Sequence, residues 1–143
     1  MSVISDTDSF EQANKSASSS SFVVKLLLVE DDKVNQMLSK KMLIKAGFDV
    51  DVANDGLEAK SLLQANKYHL VITDIKVPNM DGYELIKHIR SSANLDTLPV
   101  IAVSAYASSI EKQKAIDAGM NDYVAKPYGM NELVETINRY IEN

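Results

Sequence analysis

The feature that most limits what this chain can fold into is an alternation: from Phe22 onward, short apolar runs and longer amphipathic stretches follow one another five times. The short runs are Val23 to Val29, Asp49 to Ala53, Leu70 to Thr73, Val100 to Ser104 and Asp122 to Ala125. They are mostly β-branched or aliphatic, and three are almost unbroken in apolarity, which suits strands covered on both faces. Between them, Val34, Met37, Leu38 and Met42 form one stripe at helical spacing, Leu85, Ile86 and Ile89 a second, and Leu133, Ile137, Tyr140 and Ile141 a third. Helix starts are marked by Asp55, Asp81 and Ser108, each three residues before a glutamate (Glu58, Glu84 and Glu111), the spacing of a capping box. Gly47 and Gly119 stand where helices should stop. Strands joined by helical crossovers are parallel, with right-handed connections. The predicted fold is therefore α/β, a doubly wound five-stranded parallel sheet in three α/β/α layers. No self-similarity at a fixed period supports a solenoid instead.

A length of 143 residues with 45% hydrophobic and 24% charged side chains suits one domain with a real core. Met1 to Ser21 is rich in serine and poor in large apolar side chains, so it cannot offset its own ordering entropy. It is expected to be a flexible tail or linker, leaving 22–143 as the folded domain. No apolar run approaches the ~20 residues that span a bilayer, and no basic, then hydrophobic, leader opens the chain. A soluble, cytoplasmic protein without direct membrane contact is the expectation. The absence of cysteine excludes disulfides, thiolate nucleophiles and Cys-based zinc sites. A net charge of -5 opposes general attraction to nucleic acid, which favours protein partners or small ligands.

In an open parallel sheet, ligands bind at the carboxyl ends of the strands. The first strand runs into Glu30, Asp31 and Asp32, the third ends at Asp74, the fourth at Ser104, and the fifth runs into Lys126. Carboxylates gathered on one edge repel one another unless a cation or Lys126 compensates them. A hard divalent ion does so naturally, and Mg2+ suits an all-oxygen set of carboxylates, water and phosphate better than calcium, for which no twelve-residue acidic loop is present. Such an ion would also offset the charge of an incoming phosphoryl group. Asp74 can then act as a nucleophile and form an acyl phosphate, with Lys126 and Ser104 placed to bind the phosphoryl oxygens.

The stretches LLLVEDDKVNQ (Leu26 to Gln36), TDIKVPNMDGYEL (Thr73 to Leu85), VIAVSA (Val100 to Ala105) and AGMNDYVAKPY (Ala118 to Tyr128) resemble the response-regulator receiver family, over roughly Val23 to Tyr140. The resemblance implies a flavodoxin-like receiver fold with strand order 2-1-3-4-5, so that the end of the second strand, around Asn54, contributes nothing chemical. It also implies that Glu30 and Asp31 are the acidic pair, Asp74 the phosphoacceptor, Ser104 and Tyr123 the switch residues and Lys126 the essential lysine. The backbone carbonyl of Lys76 would complete the metal ligands, Asp32 would be a loop or helix-start residue, and the Lys126–Pro127 bond would be cis. The implied partners are a sensor histidine kinase or a histidine-containing phosphotransfer protein. The run VEDDKVNQ is more similar to receivers of hybrid sensor kinases, or to single-domain response regulators, than to the receivers of transcription factors. Lys76 and Tyr106 depart from the commonest family pattern; both flank the phosphoryl site and are expected to obstruct hydrolytic water and lengthen the life of the acyl phosphate.

Taken singly, these residues have plainer roles: an acidic turn as a helix start, Asp74 as a cap, Lys126 as a surface lysine, Tyr123 as a half-buried strand aromatic. Their convergence on one edge is what argues for chemistry. His69 and His88 lie away from the Asp74 loop and read as structural, so a phosphodonor histidine belongs to another protein or domain. A phosphate-independent interaction module would not need the full acidic, hydroxyl and lysine set. A flavin binder would need a Gly/Ser/Thr-rich loop where three acids stand, and a phosphatase would need a substrate pocket. With about one helix after Lys126, output through protein contacts or from a parent chain of which this is a fragment is the expectation, without turnover of a separate substrate.

Overall fold

The computed structural model of the protein describes residues 23–105 and 108–141, so the predicted tail and Tyr106 lie outside the described residues. Ten elements alternate: β1 Lys25–Val29, α1 Lys33–Lys45, β2 Asp49–Ala53, α2 Gly56–Ala65, β3 Leu70–Asp74, α3 Gly82–Ser91, β4 Val100–Ser104, α4 Ser109–Asp117, β5 Asp122–Ala125 and α5 Met130–Ile141. The strands form one sheet in the order β2-β1-β3-β4-β5. Every pairing is parallel, as helical crossovers require. β1 begins at Lys25, two residues later than its apolar run, and β3 continues through Asp74, which pairs with Val103.

The unbroken apolarity of the strands is explained by the two cores they separate. Leu27, Val29, Val71 and Ala102 face Leu85, Ile86 and Ile89 of α3 and Ala59 and Leu63 of α2. Leu26, Leu28, Ile72 and Val103 face Leu43 of α1 and Leu133 and Ile137 of α5. Successive strand residues point to opposite faces, so a strand covered by helices on both sides is apolar along most of its length, and the buried polar residues Thr73 and Ser104 stand near the carboxyl ends of β3 and β4. Each fully buried leucine or isoleucine contributes about 1.5–3 kcal/mol relative to exposure.

The N-caps start the helices where the spacing predicts, but of the three expected capping boxes one closes in both halves. Asp81 and Glu84 close both halves of a capping box. Asp55 accepts from the Glu58 amide and Ser108 from the Glu111 amide, but the Glu58 carboxylate turns to the backbone and side-chain nitrogens of Asn54. α1 and α4 end in Schellman motifs. Phe48 N–H donates to Leu43 and Met120 N–H to Ala115, around Gly47 and Gly119 at φ 102° and 113°.

One predicted face is wrong. Val34, Met37 and Leu38 of α1 are 60%, 61% and 54% exposed, while Ser39 and Leu43 are buried and Met42 is half-buried. The cause is hydrogen bonding that outweighs the apolar stripe. Gln36 donates from Nε2 to the Glu30 carbonyl and to Asn54 Oδ1, and the Ser39 hydroxyl bonds to the Tyr128 hydroxyl at 2.7 Å. These bonds turn the Gln36, Ser39 and Leu43 line inward. Among the described residues, no helix is long and apolar enough to cross a membrane.

Candidate functional site

β1, β3 and β5 all end at the carboxyl edge of the sheet, β1 beside β3 and β5 one strand further on beyond β4, and their last residues or the loops beyond carry the charged groups. Glu30 is buried, Asp31 is exposed and Asp74 half-buried. One oxygen from each of these three carboxylates lies within 4.8 Å of the others. The Lys126 ammonium sits among them, 2.6 Å from Asp74 Oδ2 and 2.8 Å from Glu30 Oε1. Burial opposes charge on Lys126, but its hydrogen bonds to Asp74 and Glu30 outweigh that cost and hold its pKa above that of a free lysine.

Glu30 and Asp74 are held in place by backbone contacts. Glu30 Oε2 accepts from the Asp32 amide, and its own N–H donates to the Ala53 carbonyl, tying β1 to the end of β2. Asp74 Oδ1 accepts from the Lys76 amide at 3.2 Å. The buried Thr73 donates from Oγ1 to the Asp74 carbonyl, 2.9 Å away. Asp32 caps α1 by accepting from Asn35 N–H, the helix-start role expected of the extra acid.

The donor set fits a hard divalent cation: it offers carboxylate oxygens from Glu30, Asp31 and Asp74 and neither thiolate nor imidazole. The Lys126 ammonium already supplies positive charge to Glu30 and Asp74, which shows the demand the cluster makes for a counter-charge. The Lys76 backbone lies against Asp74 through its amide, and its side chain is exposed.

Ser104 is buried at the end of β4, one residue beyond Val103, the partner of Asp74. Its carbonyl accepts from the Lys126 amide at 2.8 Å. Tyr123 lies on β5 with its ring packed against the first core cluster, and its hydroxyl is buried without a hydrogen-bond partner. Tyr83, at the start of α3, has the same property. Tyr106 falls outside the described residues. The Lys126–Pro127 bond is cis, as expected.

The sequence reading missed the polar rim. Asn54 is not silent: its Oδ1 accepts from Lys33 Nζ and Gln36 Nε2, and Gln36 also donates to the Glu30 carbonyl, so the end of β2 braces the loop that carries the acids. Asn79, at φ 69°, donates from Nδ2 to Asp55 Oδ2 and joins the loop after Asp74 to the start of α2. Asparagine tolerates that left-handed backbone better than most residues. The two histidines take structural places. His69 Nδ1 accepts from the Lys25 amide, and burial, with the charge of Lys60, pushes the His88 pKa down.

Comparison with known proteins agrees with this arrangement. Residues 26–138 match the family model "Response regulator receiver domain". Sensor histidine kinase RcsC of Escherichia coli (strain K12) is 37% identical over 117 residues, 82% of this chain but 12% of that protein, so the chain spans about an eighth of this relative. The receiver domain of sensor histidine kinase PA1611 from Pseudomonas aeruginosa PAO1, solved with a magnesium ion coordinated in its active-site cleft, superposes with TM-score 0.79 at 34% identity, covering 85% of this chain and 100% of that one. The receiver domain of Ssk1 from Saccharomyces cerevisiae, solved with the histidine phosphotransfer protein Ypd1, gives TM-score 0.77 at 27% identity over 83% of this chain and 89% of that one. The flavodoxin-like sheet order, the acidic edge and these likenesses agree, and the chain belongs to the response regulator receiver domains of two-component signalling.

Proposed function

We propose that the domain accepts a phosphoryl group on the Asp74 carboxylate from a phosphohistidine donor and signals through protein contacts, without turnover of a separate substrate. The observation that carries this is the position of Lys126, whose ammonium bridges Asp74 and Glu30 at 2.6 and 2.8 Å in the middle of the acidic cluster. In the transfer, a carboxylate oxygen of Asp74 bonds to phosphorus as the phosphorus–nitrogen bond of the donor breaks and the imidazole departs with its electron pair. Lys126 then binds a phosphoryl oxygen that carries more charge than the carboxylate it held before, and Ser104 donates to another. Glu30, Asp31, Asp74 and the Lys76 carbonyl would hold a magnesium ion, whose charge would offset that of the incoming group. Thr73 and the Lys76 amide keep Asp74 oriented for attack.

The donor is a histidine kinase or a histidine-containing phosphotransfer protein. It has a surface to dock on: the exposed Val34, Met37 and Leu38 face of α1 borders a groove of about 350 Å³ that runs past Ala105 and Lys126 beside the acidic cluster. Apolar surface next to a reactive centre favours a protein donor that buries it on contact. Phosphorylation draws Ser104 toward the new oxygens and lets the Tyr123 ring change position, which alters the α4 and β5 surface. Lys76, with Tyr106, shields the acyl phosphate from water and prolongs its life.

Incubation with acetyl phosphate and magnesium, followed by intact-mass measurement, tests the reading. The wild type should gain the mass of one phosphoryl group and Asp74→Asn should gain none; equal labelling of both, or of neither, would refute it. Decay of the labelled wild type within seconds would remove the shielding role of Lys76 and Tyr106.

A further inference from the structure

We propose that the hydrogen bond between Ser39 and Tyr128 is a positioning element that holds Lys126 against Asp74 and Glu30, so that a contact on the back of α1 sets how well the domain accepts a phosphoryl group. The second half of this statement rests on the reading of Asp74 given above.

Ser39 is a polar residue in a place meant for an apolar one. It is 5% exposed on α1, on the side that packs toward the second core cluster. A buried hydroxyl is costly unless bonded, and the partner of Ser39 is the Tyr128 hydroxyl, 2.7 Å away and 89 residues along the chain. Tyr128 is half-buried, with its ring against the same cluster, so the bond fastens a rigid side chain to a helix rather than joining two surface groups.

The loop geometry carries this restraint to the reactive centre. Only residues 126–129 separate β5 from α5. Lys126 is tied at its amide to the Ser104 carbonyl, and Gly129 lies at the start of α5, where its carbonyl accepts from Leu133 N–H. Between those points Pro127 is exposed and offers no donor, so the remaining side-chain anchor of the loop is Tyr128. Lys126 is a long side chain whose ammonium must meet two oxygens at once, and a small shift of its backbone is magnified at the tip. Ser39, Tyr128 and Lys126 also line the same groove beside α1, so a docking partner would meet the fastening directly.

The test uses the full chain with Ser39→Ala, Tyr128→Phe and the double substitution. Labelling by acetyl phosphate with magnesium is followed as a function of acetyl phosphate concentration, together with the thermal midpoint and hydrogen exchange at the Lys126 amide. Each single variant should lower the maximal labelling rate about five- to tenfold, the effect of one lost hydrogen bond on a barrier, and leave the half-saturating concentration unchanged. The double variant should be no slower than either single one. Stability should behave differently: each single variant orphans one hydroxyl and lowers the midpoint, whereas the double variant removes both and recovers much of it. A labelling rate that stays low while the midpoint recovers supports positioning, and a rate that recovers with the midpoint overturns it. Faster exchange at the Lys126 amide in all three variants is expected, and unchanged exchange also overturns the proposal. If the wild type takes up no phosphoryl group, the Asp74 reading fails, and Lys126 exchange alone then decides whether the Ser39–Tyr128 bond holds the loop.

Discussion

Two tyrosine hydroxyls, on Tyr83 and Tyr123, are buried without a partner, and each weakens the resting domain. Tyr83 is the simpler case because its ring also carries the Lys114 ammonium 4.9 Å from its centroid, a contact that phenylalanine keeps. Tyr83→Phe should therefore stabilise the protein by about 1 kcal/mol, the lower end of the cost of an orphaned polar group, as a rise in the urea midpoint. Asp51 is the opposite case. A hydrogen bond from the Tyr68 hydroxyl, against the opposing effect of burial and with help from Lys25, lowers its pKa below the ordinary 3.8. A carboxylate with a depressed folded pKa stabilises the fold above its unfolded value, and that contribution is lost as pH falls through the folded value. Stability measured against pH should thus fall below about pH 4, and Asp51→Asn should flatten that part of the acid limb. An unaltered limb would assign the acid sensitivity to other carboxylates.

At the scale of elements, the lower edge of the sheet is fastened by one side chain. Arg90 at the end of α3 donates to the Gly119 carbonyl, to the Leu98 and Asp96 carbonyls and to Asn121 Oδ1, which also accepts from the Val100 amide. Burial lowers its pKa, so the charge is partly desolvated and its bonds count for more. Arg90→Met keeps the aliphatic stem but strips these bonds, and should cost about 2–3 kcal/mol in denaturant unfolding. It should leave labelling of Asp74 unchanged, because Arg90 works at the edge opposite the acids. The same scale shows what was legible beforehand. Strands, caps and helix stops depend on neighbours within a few residues, so β2, β4, β5 and both Schellman ends could be read directly. The facing of α1 could not, because its apolar stripe is overruled by bonds from Gln36 to Asn54 and from Ser39 to Tyr128, across 18 and 89 residues. Asn54 is silent in the sequence for a related reason: its importance lies in what it touches, and an asparagine after a strand ordinarily signals a turn.

Considered whole, the domain places its core between layers and its unbalanced charge at one end. Glu30, Asp31, Asp74 and Lys126 were legible as a set because parallel topology carries every strand end to the same edge. That concentration predicts a measurable linkage. Magnesium at ten times its dissociation constant should add about 1.4 kcal/mol to folding stability, seen as a rise in thermal midpoint. Asp31→Asn, which removes an exposed carboxylate and disturbs no buried contact, should abolish most of that gain while leaving the metal-free midpoint close to the wild type. A shift of equal size in both proteins would place the ion elsewhere. The sheet order has a consequence at its margin as well. β2 is an outermost strand, with Asp49 exposed and Asp51 half-buried along it. A bare strand edge invites another chain to add itself, and carboxylates repel a second copy of the same edge. With Asp51 engaged by Tyr68 and Lys25, the exposed Asp49 is the carboxylate that disfavours a second copy along β2 and makes that strand a boundary rather than a template.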